Sequence, residues 1–325
     1  MNRQEKITER YYYLDVMRAL GCLAVVLLHV SSKFTLETVG SFNYWFGIIL
    51  DSTAQFAVPL FVMISGALFL NESYELTCQK LFAHIKKLLI FFFGWSFIFC
   101  LVFTVLKNLL FKNQITVESV LFAIISGPYH LWFIPMMIGI YLIIPLLRLW
   151  VTKANKKLVE YFLILGLIFT VIIPGIKTLL SYTTPEYLEI INAIDGLYFH
   201  YSSGYVIYFV LGWYLHTFEI KNKHIIYITG ILGLILSIFG TYEFTVWKND
   251  TSFFFNNFSI TIFLYSASVF TYLKSKFFHV NTANKMVEQI CNHSMGIYAM
   301  HIAVFPLFTY VLSIKNAAIA IPVEF

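Results

Sequence analysis

Residues 14–30 read LDVMRALGCLAVVLLHV, and this stretch decides the fold. A membrane-crossing helix needs roughly 20 mostly apolar residues, and the run from 14 to 32 satisfies that length. It nevertheless carries Asp15, Arg18 and His29. A charged group at bilayer depth costs from about 2.5 kcal/mol upward unless it is paired or faces water, so such residues are functional candidates. Arg18 and His29 are eleven residues apart, close to three helical turns. They therefore share one helix face and stand about 16 Å apart along the axis. Arg18 has two plainer readings, snorkelling to the headgroups or pairing with Asp15; His29 taken alone reads first as a satisfied histidine near the outer interface, and its pairing with Arg18 on one face shifts that reading toward function. The run is too long for a signal-peptide core and lacks a small-residue cleavage site.

Composition agrees with a bilayer as solvent. The chain has 325 residues, of which 59% are hydrophobic and 12% charged, and a mean hydropathy of +0.76. These values exclude an ordinary soluble protein of two domains. Its 34 Phe and 21 Tyr suit helices that face acyl chains and end in rings at the interface. The net charge of +5 does not indicate nucleic acid, because the cations fall in short clusters between apolar runs rather than in a basic stripe. Four cysteines without a CxxC pair give no zinc or disulfide pattern. Cys22 and Cys100 sit in apolar segments, Cys78 and Cys291 in expected loops on the reducing side, and all four read as structural. No metal site is expected.

Nine spans are predicted: 14–32, 44–70, 88–106, 131–151, 158–180, 204–220, 225–247, 257–273 and 294–313. Residues 316–325 begin another apolar run that stops short of spanning length, a truncated helix or an interfacial stub. The expectation is one all-α membrane domain over 1–325, a polytopic bundle of about nine or ten helices. Lys and Arg alternate between rich and poor connections as the positive-inside rule requires. Arg3, Lys6 and Arg10 precede the first span; Lys80, Lys86 and Lys87 follow the second, and Arg148, Lys153, Lys156 and Lys157 the fourth. Lys221 and Lys223 follow the sixth, and Lys274, Lys276 and Lys285 the eighth. The other connections hold only Lys33, Lys107 with Lys112, Lys177, Lys248 and Lys315. This pattern predicts a cytoplasmic N-terminus. The longest outer connection, 181–203, is acidic (Glu186, Glu189, Asp195) and reads as a solvated loop or as part of an acceptor-facing vestibule. Residues 112–130 read as an amphipathic or re-entrant piece too short to span.

Further polar residues lie inside the spans. Asp51 and Gln55 are one turn apart on the second, ahead of Pro59, which predicts a kink. Ser65-Gly66 serves either close helix packing or the exposure of a hydroxyl and backbone to a ligand. The segment PYHLWFIPMMIGIYLIIPLL, 128–147, joins His130 and the interface rings Tyr129 and Trp132 to a helix with Pro135, Pro145 and Tyr141, whose mid-membrane hydroxyl needs a partner. Ser294, Tyr298 and His301 place another ionisable ring in the last span, as a packing hydrogen bonder or as a catalyst. No phosphate-binding loop, HExxH or serine-nucleophile elbow occurs, which argues against ATP-driven and hydrolytic chemistry.

Taken in order, LDVMRALGCLAVVLLHV, VPLFVMISGALFL at 58–70, YHLWFIPMMIGIYLIIPLL at 129–147 and SMGIYAMH at 294–301 resemble the motifs of the membrane acyltransferase-3 family. Within it the chain looks most like stand-alone sugar O-acetyltransferases, such as the one acting on enterobacterial common antigen. The resemblance implies a multi-pass protein of a bacterial inner membrane. Its implied activity is transfer of an acetyl or similar group from cytoplasmic acyl-CoA, a substrate and not a resident cofactor, to a hydroxyl of a surface glycan or lipid-linked sugar precursor. It implies His29 as the catalytic histidine, Arg18 as its partner arginine and a CoA ligand, and Lys80, Lys86, Lys87, Ser65 and Gly66 as donor-binding positions. Asp51, Gln55, His130, Tyr141, Tyr298 and His301 are candidates for the cavity wall. A histidine near neutral pKa suits removal of a hydroxyl proton, and cations suit the phosphates of CoA. The competing reading is a polysaccharide exporter whose buried ionisable groups line a substrate or proton path. That reading predicts inverted repeats with paired broken helices, and no convincing internal repeat is visible.

Overall fold

A computed structural model of the chain describes residues 11–111, 116–187, 189, 192–193, 204–280 and 284–312, with backbone alone at 103–111, 185 and 304–312. Arg3, Lys6, Arg10, Lys112, Asp195, Lys315 and the run 316–325 lie outside the described residues. The described residues contain helices and no strand. In a bilayer this is the expected outcome, because a helix satisfies its own backbone where no water can. Two compact units are present: Glu75–Trp150, and Met1–Tyr74 with Val151–Phe325.

The larger unit begins with α1, Tyr12–Ser31, one unbroken helix that holds both Arg18 and His29 and runs into a 3-10 turn at Ser32–Leu36. Next come α2, Phe42–Ala54, and α3, Ala57–Phe69. The expected span 44–70 is thus broken at Gln55–Phe56, one turn ahead of the Pro59 expected to kink it. The displacement has a local cause: a helical proline clashes with the carbonyl four residues back, which here belongs to Gln55. After α7, Lys156–Leu167, a π-helical turn at Ile168–Ile172 precedes α8, Ile173–Thr183, relieving the same clash ahead of Pro174. The unit continues with α9, Val206–Thr217; α10, Lys223–Lys248; the short α11, Ser252–Phe255; α12, Ile260–Phe277; and α13, Lys285–Leu312.

Among the described residues, seven helical segments are long and apolar enough to cross a membrane. They coincide with seven of the nine expected spans; 204–220 contains the shorter α9, and residues 294–312 of the expected 294–313 fall within α13. The chain is a multi-pass membrane protein.

Burial separates interior from lipid-facing helices. In α1 61% of the apolar window is buried and in α2–α3 72%, against 17% in α7–α8 and 22% in α10. The interior position of α1 removes the difficulty posed by its ionisable residues, since it packs against α2, α3, α12 and α13. In α9 every residue from Ile207 to Leu215 is buried, so this helix is surrounded by protein and has no polar face to place. By contrast α10 exposes Ile225, Ile228, Leu232, Ile235 and Phe239 as one stripe and turns Gly230, Gly233, Ser237 and Thr241 inward. A Cβ at Gly230 would lie 2.1 Å from Ser268 Cβ, so α10 and α12 approach almost backbone to backbone. Small residues inside and large ones toward lipid are the pattern expected when packing, not water exclusion, holds helices together.

The smaller unit contains α4, Cys78–Phe111; α5, Val117–Ser126; a 3-10 turn at Tyr129–Trp132; and α6, Phe133–Val151, with Pro145 inside it. The segment expected to be too short to span is the ten-residue α5. A Cβ on Gly127, at φ +67°, would lie 2.6 Å from the Phe92 ring, so the turn after α5 requires glycine twice over.

Candidate functional site

The ionisable residues of α1 meet different neighbours at its two ends. At the first turns, Arg18 donates to Asp15 Oδ1 at 3.1 Å, and its side chain stays 31% exposed. The pairing anticipated as a plainer reading is therefore present. A guanidinium has five N–H donors, so one bond to Asp15 leaves Arg18 able to bind an anion as well. The Cys291 thiol donates to the Asp15 carbonyl at 3.1 Å and ties this end of α1 to α13.

At the last turns, the ring of half-buried His29 lies 4.9 Å from that of His301, centroid to centroid, with a 43° tilt. His301 is 5% exposed. Its Nδ1 lies 2.8 Å from the Tyr298 carbonyl and 3.3 Å from that of Ile297. A carbonyl only accepts, so Nδ1 carries the hydrogen. The Tyr298 ring stacks on His301 at 6.1 Å. Residues 272 positions apart in the chain are thus brought together by the α1–α13 packing.

Two residues beyond His29, Ser31 donates to Asp51 Oδ1 at 3.1 Å, while Gln55 Nε2 donates to Asp51 Oδ2 at 2.8 Å. Asp51 is 2% exposed, so both carboxylate oxygens are served by protein donors, as a buried carboxyl requires. Asp51 and Gln55 share a face as the sequence implied, and they close the gap where α2 stops short of α3.

Ser65 donates to its own helix, at the Phe61 carbonyl 2.9 Å away. Gly66 sits under the Phe209 carbonyl of α9, and in return Gly212 of α9 sits under Met63 of α3. The SG step therefore forms a close helix crossing.

The remaining candidates belong to the smaller unit. Lys80, Lys86 and Lys87 were expected in a loop; they are exposed residues on the first turns of α4. Thr77 starts that helix early, its Oγ1 accepting from Lys80 N at 3.2 Å in the manner of an N-cap. Cys78 and Cys291, also expected in loops, lie in α4 and α13. His130 is 2% exposed with its ring edge-on to Phe99 at 5.1 Å. Tyr129 and Trp132 are exposed, as interface rings should be, and Tyr141 is half-buried on α6.

One polar group was missed. His216, at the end of α9, is joined through Nδ1 to the Tyr13 hydroxyl and accepts at Nε2 from Asn71 Nδ2 at 2.9 Å. Lys274 donates to the carbonyls of Leu215 and His216, both at 2.7 Å, and so caps α9. The rule that singles out His29, an ionisable ring inside a predicted span, applies equally to His216.

The profile of the acyltransferase-3 family, described as an acyltransferase domain, matches residues 11–323. Among curated proteins, an amino-acid racemase of Enterococcus faecalis is 29% identical over 128 residues, which cover 39% of this chain and 17% of the racemase. The match thus reaches only a minor part of that relative's length. No solved structure matches the chain.

Proposed function

The chain belongs to the acyltransferase-3 family, and from that premise we propose that it moves an acetyl or similar acyl group from cytoplasmic acyl-CoA to a hydroxyl of a surface glycan or lipid-linked sugar precursor. The proposal includes a bacterial inner membrane and a cytoplasmic N-terminus, the orientation favoured by the Lys and Arg pattern. One observation carries it: the interior helix α1 holds an arginine and a histidine on one face, with the histidine against a second buried imidazole.

In the proposed reaction a ring nitrogen of His29 takes the proton of the acceptor hydroxyl as its oxygen attacks the thioester carbonyl carbon. The C–O bond forms, the C–S bond breaks, and the CoA thiolate leaves. The imidazolium of His29 then returns the proton to the thiolate, giving ester and free CoA. Arg18 binds the donor's phosphates, for which a planar guanidinium is well matched. By family position, Lys80, Lys86 and Lys87 are further donor ligands.

Mass spectrometry of surface glycans from cells with and without this protein tests the reading. Alkali-labile acyl esters should appear only in the first. Identical glycans would refute it.

A further inference from the structure

We propose that Asp51 is a proton-binding site inside the membrane domain: at neutral pH its carboxyl is the neutral acid, which donates from Oδ1 to the Ser31 hydroxyl oxygen and accepts from Gln55 at Oδ2. The proposal goes beyond acyl transfer and stands whether or not that reading holds.

The surroundings of Asp51 are polar but uncharged. The residue is 2% exposed and lies on α2, which packs on α1, the 3-10 turn and α10. Among the described residues its partners are the Ser31 hydroxyl and the Gln55 amide. The ionisable groups of the adjoining elements include His29 on α1, Lys33 in the 3-10 turn and Glu243 on α10, and none of them forms an ion pair or hydrogen bond with Asp51. Arg18 pairs with Asp15 at the other end of α1. An ionised carboxylate withdrawn from water needs a cation or several strong hydrogen bonds, and without them the group neutralises. Two uncharged donors fall short of that requirement.

Counting hydrogens leads to the same assignment. Ser31 Oγ lies 2.8 Å from the Leu27 carbonyl oxygen, 3.3 Å from that of Leu28 and 3.1 Å from Asp51 Oδ1. All three neighbours are oxygens, and a serine hydroxyl has one hydrogen. Beside an ionised Asp51 that hydrogen would be divided among three acceptors, leaving the carboxylate less than a full bond. With a hydrogen on Oδ1, the Ser31 hydrogen goes to Leu27, the shortest of the three contacts, and the Ser31 oxygen takes the hydrogen of the acid. Every hydrogen in the group then has an acceptor. The donor in the 3.1 Å contact is thus Asp51, the reverse of the direction a carboxylate would impose. An apolar site can keep a carboxylic acid neutral so that it donates a hydrogen bond. Here that bond runs from α2 to Ser31, the last residue of α1 and two positions beyond His29.

Infrared spectroscopy of the purified full-length protein reads this proton, because a neutral carboxyl has a C=O stretch well above the amide bands and a carboxylate does not. At neutral pH, Asp51→Asn should lack one such band that the wild type shows, and in heavy water the wild-type band should move to lower frequency. Asn is the fitting comparison: its amide oxygen accepts from Gln55 and its N–H donates to Ser31, as the neutral acid does. Ser31→Ala removes the acceptor of the acid hydrogen, so the band should persist and move to higher frequency. Should Asp51→Asn not fold, wild type carrying carbon-13 at its Asp carboxyls decides in its place, since the band should shift on labelling and shift again in Ser31→Ala. Loss of carboxylate stretches in place of that band, a band that Ser31→Ala leaves unmoved, or labelled wild type without a neutral carboxyl band would each overturn the proposal. The spectrum does not depend on acyl transfer, so either account can fail alone.

Discussion

Gly66 of α3 faces the backbone carbonyl of Phe209 on α9 so closely that a Cβ added to it would stand 1.8 Å from the oxygen. Gly212 repeats the relation in reverse, with the Met63 carbonyl 2.0 Å from its would-be Cβ. In the membrane no hydrophobic force drives two apolar helices together, so their stability depends on contact at this range.

Gly66→Leu should therefore force α3 and α9 apart. Overpacking of this kind costs about 1–3 kcal/mol and sometimes more. The expected outcome is a lowered thermal unfolding midpoint in detergent, with a similar loss for Gly212→Leu. An unchanged midpoint in both variants would show that the crossing is not tight.

Asp51→Ala removes the acceptor of Gln55 and one acceptor of Ser31 in a site closed to water. Leaving a buried donor unmade costs about 1–3 kcal/mol. Unfolding should shift downward by a corresponding amount, and Asp51→Asn, which keeps one oxygen, should lose less. Equal stability of all three proteins would contradict the network.

Outside the spans, Asp250 supplies a pH test. Burial works to raise its pKa, but the hydrogen bonds from the Tyr182 hydroxyl and from Ser252 outweigh it and hold the carboxyl below its ordinary value. Tyr182 donates to Oδ2 at 2.6 Å. A carboxyl that is more acidic when folded contributes stability above its unfolded pKa, and that contribution is lost as pH falls through the folded value. Wild type should therefore exceed Asp250→Asn in stability at neutral pH, and the gap should close below about pH 4, the usual carboxylate range. A gap independent of pH would contradict the assignment.

Arg18→Ala should raise KM for acetyl-CoA about ten- to a hundredfold, the equivalent of one charge-assisted hydrogen bond. Lys86→Ala and Lys87→Ala should act in the same direction. An Arg18 variant with normal KM and normal folding would remove Arg18 from the donor site.

Much of this was legible in the sequence because hydropathy is local. The span at 14–32, the shared face of Arg18 and His29, and the Asp51–Gln55 pair follow from period and length alone. The kink expected from Pro59 takes the form of a break at Gln55–Phe56, since a proline acts on the carbonyl of the preceding turn. Lys80, Lys86 and Lys87 were placed in a loop because apolar content starts late, whereas Thr77 caps the helix ahead of them. The His29–His301 contact, the link from Tyr13 through His216 to Asn71, and the Gly66–Phe209 crossing join distant parts of the chain, and no periodicity encodes them.

The most direct test of the acyl-transfer account uses native membranes containing wild-type or His29→Ala protein, radiolabelled acetyl-CoA, and counting of alkali-labile label in the glycan fraction. Loss of a general base typically lowers the rate by about 10²–10⁴, so the wild type should label the glycan and His29→Ala should fall by at least about a hundredfold while remaining folded. Labelling by His29→Ala at the wild-type rate would contradict the assignment of His29 as the base.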